Sequence, residues 1–253
     1  MVAAETATQW LTDYHNLLAR HGLDATTLMD STLTPANREQ PALFSLAQLL
    51  ANPDLLQQQV LKDYLDADHP RFRKARLSVL HQSLALQIIG PLVIRLFRDG
   101  SSAALDPRRV FLCPTTSTPA DPSRWQYAAS EQEILEPEAF IRILSEQMQD
   151  WYGVFRHHFG VSPGAYWSSV GLALGSPYSV VWNRVNPAEL CKQAGSWLAQ
   201  FKCEANRYID WIPAEFGQQW CAIPQRKGCC LKYLLPGGGY CGTCGIYRKE
   251  RIS

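Results

Sequence analysis

The chain reads as an α+β protein: a mostly helical body with a small β-hairpin or strand pair, followed by a C-terminal cysteine-rich module. Three observations predict this. Apolar residues recur at helical spacing through the first half and again between residues 137 and 201. A short apolar run from Arg109 to Cys113 is stopped by Pro114, and Trp125–Tyr127 can pair with it across a loop rich in Pro, Thr and Asp. Toward the end of the chain the helical period fades, and cysteine, glycine and basic residues take over.

Each element has its own signal. Trp10, Leu11, Tyr14, Leu17 and Leu18 share one helical face, and Gly22 is placed to stop that helix. Pro41 can open a second helix carrying Leu43, Phe44, Leu46, Ala47 and Leu50. Asn52-Pro53-Asp54 combines a side-chain cap, a proline at the first helical position and an acid in the first turn. The helix it starts has Leu56, Val60, Leu61, Tyr64 and Leu65 on its apolar face and is ended by Pro70. A long helix is expected over 71–98, kinked near Pro91, where a backbone donor is missing. Two more helices follow. One begins near Pro137 and aligns Phe140, Ile141, Leu144, Met148, Trp151 and Phe155; the other begins at Asn186-Pro187 and aligns Leu190, Ala194, Trp197, Leu198 and Phe201. The Gly- and aromatic-rich segment 160–182 has no clear period and is not assigned. The expected division is a body over 1–220 and a module over 221–253.

Composition bounds the function. The 253 residues, 46% hydrophobic and 19% charged, are enough for a real core, in one large domain or two small ones. A formal net charge of +1 argues against a general nucleic-acid binder. The most apolar stretch, Leu77 to Phe97, contains His81, Gln82, Gln87, Pro91 and Arg95, so no membrane span is expected there. The opening Met-Val-Ala-Ala-Glu has neither a basic start nor a long apolar run, and no secretory signal is read in it. The expected location is the cytoplasm, with loose association at the inner face of the membrane left open. Eight cysteines in a reducing compartment are then not a disulfide framework.

Four of those cysteines carry the chemistry. Cys229 and Cys230 are adjacent, ten residues follow, and Cys241-Gly242-Thr243-Cys244 completes C-C-x10-C-x2-C. The C-x-x-C half can turn both sulfurs toward one metal. Gly242 and Gly245 remove bulk near the sulfurs, Pro236-Gly237-Gly238-Gly239 supplies the reversal, and Gly228 allows the turn that neighbouring ligands need. Spacing alone leaves three readings open: a structural zinc site, a redox dithiol pair, and a [2Fe–2S] cluster with four cysteine ligands. Cys113, Cys191, Cys203 and Cys221 show no ligand spacing and read as small buried apolar residues, with Cys221 lying nearest the motif.

The tail motif resembles that of the siderophore-iron reductases, the ferric hydroxamate (FhuF-type) reductases. Trp167-Ser168-Ser169-Val170-Gly171 is also similar to a Trp-Ser-Asn-x-Gly stretch of that family, with Ser169 in place of the usual Asn. The resemblance implies a [2Fe–2S] cluster held by Cys229, Cys230, Cys241 and Cys244, and an enzyme reducing Fe(III)–siderophores in the cytoplasm. It makes Trp167 and Ser168 candidate substrate residues. Tyr178, Trp182, Trp211, Trp220 and Tyr240 are further aromatic candidates for a cleft. No GxGxxG follows a strand and no GxxxxGK[ST] occurs, so the electron is expected from outside, from a ferredoxin or a reductase. From Gln225 onward the basic residues are Arg226, Lys227, Lys232, Arg248, Lys249 and Arg251 against the single acid Glu250, a charge that would raise the potential of a cluster beside it and could steer an acidic partner to its edge. A different class of reading is a zinc-stabilised module that binds a siderophore or a protein without redox turnover.

Overall fold

A computed structural model describes residues 8–30, 33, 41–115, 122–128 and 133–246. Among these the chain is mostly helical, with small sheets of two or three strands. Helix α1, Gln9–Arg20, buries Trp10, Tyr14, Leu17 and Leu18. It ends as its glycine requires: Gly22 has φ +67°, its N–H reaches the Ala19 carbonyl, and the Leu23 N–H reaches that of Leu18. Helix α2, Ala25–Asp30, follows.

Pro41 opens no helix. Strand β1, Phe44–Ser45, pairs with the later strand instead, at Phe44↔Leu112 and Ser45↔Phe111. Ser45 then caps helix α3, Leu46–Ala51, by accepting from the Gln48 N–H while the Gln48 side chain accepts from the Ser45 N–H. Helix α4, Asp54–Asp63, buries Leu56 and Val60 but not Leu61, and it stops before Leu65, which is 97% exposed. No side-chain cap from Asn52 or Pro53 is made at its start.

The long helix forms in three parts: α5, Pro70–Leu84; a π-turn, Ala85–Ile89; and α6, Gly90–Asp99. The wide turn sits immediately before Pro91, whose ring nitrogen cannot donate, so the expected kink takes the form of a π-bulge. By length and composition the whole stretch Pro70–Asp99 could cross a membrane, but 67% of its apolar window is buried inside the fold.

Strand β2, Ser102–Ala103, pairs with β5, Ile134–Leu135. Strands β3, Val110–Pro114, and β4, Ser123–Tyr127, form the expected antiparallel pair, from Val110↔Tyr127 to Pro114↔Ser123. Helix α7, Pro137–His157, buries Phe140, Leu144, Met148, Trp151 and Phe155 as its period predicts.

The unassigned segment is helix α8, Pro163–Leu174, capped by Ser162 and buried at every residue from Ala165 to Leu174. It packs against α5, the π-turn and α6 on one side and against the following hairpin on the other. A helix wrapped on all sides has no polar face and therefore no amphipathic signal. Helices α9, Ser176–Val180, α10, Pro187–Leu198, and α11, Ala205–Tyr208, come next. Asn186 caps α10 through the Glu189 N–H, as expected. Trp10, Tyr14, Phe97, Tyr178 and Trp197 form one aromatic knot, with the Trp10 and Trp197 rings 4.3 Å apart.

Strands β6, Ile209–Phe216, and β7, Gln219–Arg226, form a hairpin that sequence reading missed. Its two-residue turn, Gly217-Gln218, has φ +57° and +67°, the signs a type I′ turn needs. The boundary expected after residue 220 falls inside β7. The strand belongs to the hairpin, and the cysteine loop begins only after it.

Candidate metal centre

β7 delivers the chain to the motif. The Lys227 N–H donates to the Tyr208 carbonyl (2.9 Å), the Lys227 ammonium pairs with Asp210 (2.9 Å), and the Arg226 N–H donates to the Thr243 carbonyl (3.0 Å). The last of these ties the strand to the C-x-x-C turn, which is closed by Cys244 N–H to Cys241 C=O at 2.9 Å. Three glycines of the loop are obligatory, Gly238 among them, whose Cβ would lie 2.0 Å from the Lys232 carbonyl. A Cβ on Gly228 would lie 2.0 Å from the Gly164 carbonyl, and one on Gly245 would lie 2.0 Å from the Arg226 carbonyl. Gly228 thus serves a close backbone approach to the first turn of α8. Gly242 has nothing within 4 Å of its Cβ position, so the bulk argument holds for Gly245 and not for Gly242.

Between the two cysteine pairs, Leu231 takes φ +65° and Gly237 takes φ +67°, with Gly238 N–H closing on Leu235 C=O at 2.8 Å. The turn Lys232–Leu234 packs on α5, and Tyr233 and Tyr240 stack with ring centroids 5.3 Å apart.

The four thiols act on one another. Cys230 and Cys244 are buried; Cys229 and Cys241 are half-buried and form the outer edge. A hydrogen bond from the Cys241 thiol, opposed by burial, brings Cys230 down to about 6, and the same bond together with burial drives Cys241 well up. Burial raises Cys229, whose sulfur accepts from the Leu231 N–H at 3.3 Å and lies within the field of Cys244 and Cys241. Among the described residues no group of three or more His, Cys, Asp or Glu side chains is placed to hold a single metal ion.

Beneath the thiols lies Arg226, fully buried. Its Nε donates to Ser168 Oγ (2.9 Å) and its Nη2 donates to Ser169 Oγ (2.9 Å) and the Ala165 carbonyl (3.3 Å), all on α8. Nη1 has no partner. The guanidinium acts electrostatically on Cys229, Cys230 and Cys241. His81, also buried, is held far down at about 3 by burial and then by Arg226, so it is neutral there.

The substrate candidates lie elsewhere than sequence reading put them. Trp167 is 1% exposed and packs on Tyr152 and Tyr166, so it is core and lines no cleft. Ser168 is 0% exposed and accepts from Arg226. Tyr178 and Trp211 are likewise buried, while Trp220 and Tyr240 are exposed. Cys113, Cys191 and Cys221 are buried, Cys203 is half-buried, and burial pushes Cys191 and Cys203 up to about 11. Arg226, counted among the basic residues of the tail, is buried; Arg248, Lys249, Glu250 and Arg251 lie outside the described residues.

Two cavities are relevant. The larger, about 830 Å³, lies between α1 and α10 around Asp13, Arg20, Glu189 and Lys192, away from the thiols. The smaller, about 460 Å³, is a mostly apolar groove walled by Leu86, Ile94, Leu172, Val180, Pro224 and Thr243. Thr243 stands between two of the cysteines, and its hydroxyl donates to Cys241 Sγ at 3.8 Å. The groove rather than the larger cavity is the space adjoining the chemistry. None of its walls falls within the Trp167–Gly171 stretch, although Leu172 follows it directly.

Residues 226–244 match the family model of the FhuF 2Fe-2S C-terminal domain, a span that includes all four cysteines and begins at Arg226. No curated protein and no solved structure matches the chain. The matched domain and the four C-terminal cysteines are consistent with a [2Fe–2S] cluster. The chemistry of the donor set fits one: four free cysteine thiols, with a buried arginine beside them that has an unused donor.

Proposed function

We propose that this protein reduces Fe(III) held by a hydroxamate-type siderophore and so releases Fe(II), with Cys229, Cys230, Cys241 and Cys244 as the ligands of a [2Fe–2S] cluster that supplies electrons singly. The observation that carries the reading is the match of residues 226–244 to a 2Fe-2S domain named for that family. The inorganic chemistry agrees. Hydroxamate oxygens are hard donors that suit Fe(III) far better than Fe(II), so one electron loosens the complex and lets the metal exchange out.

The chain's own residues have three tasks. The hairpin and α8 hold the thiols in place through the contacts of Arg226, Lys227 and Gly228. Leu86, Ile94, Leu172, Val180 and Pro224 offer an apolar groove that ends at Thr243. A ferric trihydroxamate is electrically neutral, because ligand and metal charges cancel, so an apolar surface beside the thiol edge suits it. The half-buried edge at Cys229 and Cys241 is where an electron donor would approach, and the exposed Lys232 gives that edge a positive charge for an acidic ferredoxin or a reductase. The reading assigns recognition to the body and electron supply to the tail, in the cytoplasm, where released Fe(II) is used.

Mixing anaerobically reduced protein with a ferric hydroxamate should re-oxidise it in the visible spectrum, and a ferrous chelator should trap stoichiometric Fe(II). Leu86→Glu, on the exposed lip of the groove, should raise the KM for the siderophore while leaving the visible spectrum intact. Reduced, cluster-loaded protein that stays reduced against a panel of ferric hydroxamates would sink the proposal. Stoichiometric zinc, in protein made with ample iron and kept from oxygen, would remove its premise.

A further inference from the structure

We propose that Arg226 is the internal counter-charge of the cluster: a positioning residue that raises the cluster's reduction potential and fastens the thiol loop to α8 through Ser168 and Ser169. The inference rests on the cluster assignment above and is independent of which substrate is reduced.

The argument starts from a charge without a partner. A guanidinium is a permanent cation with five N–H donors, and burying it is costly unless an anion faces it. Arg226 is 0% exposed. The ion pairs among the described residues all involve other side chains. What faces Arg226 from α8 is neutral: two hydroxyls and the Ala165 carbonyl. From α5 it meets His81, which is neutral as well. From the tail it meets Cys229, Cys230 and Cys241. Four thiolates bound to two irons and two sulfides carry a net negative charge, which grows on reduction. That group is an anion large enough to justify a fully buried arginine, and Nη1 is the donor left for it.

Two consequences follow from geometry. First, a fixed cation favours the more negative, reduced form, so its removal must lower the potential. Second, the same side chain bonds α8 with its other two nitrogens, so cluster and body hold each other through one residue. Supporting groups of this kind typically change metal affinity by about 10- to 100-fold when removed.

The test compares Arg226→Gln, Arg226→Lys and the pair Ser168→Ala/Ser169→Ala with the parent, each cluster-loaded anaerobically. Potentials are read by EPR-monitored redox titration, and cluster loss by the decay of visible absorption under a chelator. Arg226→Gln should shift the potential negative and speed cluster loss about 10- to 100-fold. Arg226→Lys keeps the charge without the fork, so it should lose the cluster faster yet stay nearer the parent potential. The serine pair serves as the second route should Arg226→Gln fail to fold: it should also speed cluster loss, with far-UV circular dichroism unchanged. A parent potential in Arg226→Gln, or a serine pair that retains its cluster like the parent, would overturn the inference. A lower melting temperature with no change in potential would reduce Arg226 to a structural pin. A parent without an iron–sulfur spectrum would instead overturn the cluster assignment.

Discussion

The hydrophobic core takes in buried residues from Trp10 to Ala222 and none beyond, whereas between Lys227 and Ile246 only Cys230, Leu235 and Cys244 are buried. The body is therefore stabilised by apolar burial, which needs no cofactor. The thiol loop has backbone hydrogen bonds, three close glycine contacts and a buried arginine, but almost no apolar surface to remove from water. A segment of that composition gains much of its stability from the group it binds, and ligand binding there is also folding. Body and loop thus respond to different perturbations, and substitutions can separate them.

The widest separation is expected from serine at Cys229, Cys230, Cys241 or Cys244. Each substitution replaces a thiolate by a harder, more basic donor, and each should abolish most of the visible absorption and open the loop to limited proteolysis. Far-UV circular dichroism should change little, because no body helix depends on the thiols. Parent-like spectra in two of the four variants would break the ligand assignment, and loss of body helicity would break the comparison.

Trp197→Ala probes the other side. Its ring packs on Trp10 and Phe97, and its Nε1–H donates to the Leu174 carbonyl at 2.7 Å. Truncation should cost about 3–5 kcal/mol of body stability in denaturant titrations, while the folded fraction keeps its iron–sulfur spectrum. Smaller again is Gly228→Ala, where a methyl meets the Gly164 backbone: about 1–3 kcal/mol, with poorer cluster loading because the loop lifts from α8. Gly242→Ala, in open space, should stay within about 0.5 kcal/mol. Equal effects at these two glycines would show that the close approach is not what seats the loop.

What could be read from the sequence follows the same division. Helices α7 and α10 were legible because each has one buried and one wet face, and the pairing of β3 with β4 because Pro114 and the polar loop punctuate it. Helix α8 was not, since burial on every side erases the period that marks a helix. The β6–β7 hairpin hid behind Pro213 and Pro224, residues that normally argue against a strand. At the site, thiol spacing was informative because ligand chemistry dictates it. Arg226 was counted only as one charge of a basic tail, because a residue's identity does not report its exposure, and only the fold brings Ser168 and Ser169 beneath it. Trp167 was singled out for its neighbours in sequence, yet its neighbours in space are Tyr152 and Tyr166.

The position of β7 has a consequence for how the chain tolerates losing its metal. All eight residues of β7 are paired with β6, so loss of the metal leaves the facing edges of this two-stranded sheet joined along their length. A chain severed at residue 220 would instead bare the donors and acceptors of β6 from Ile209 to Ala214. A naked edge of that kind recruits other strands and leads to aggregation. The apo protein and the truncated protein are therefore different species, the first fit to be reloaded with iron and the second prone to self-association.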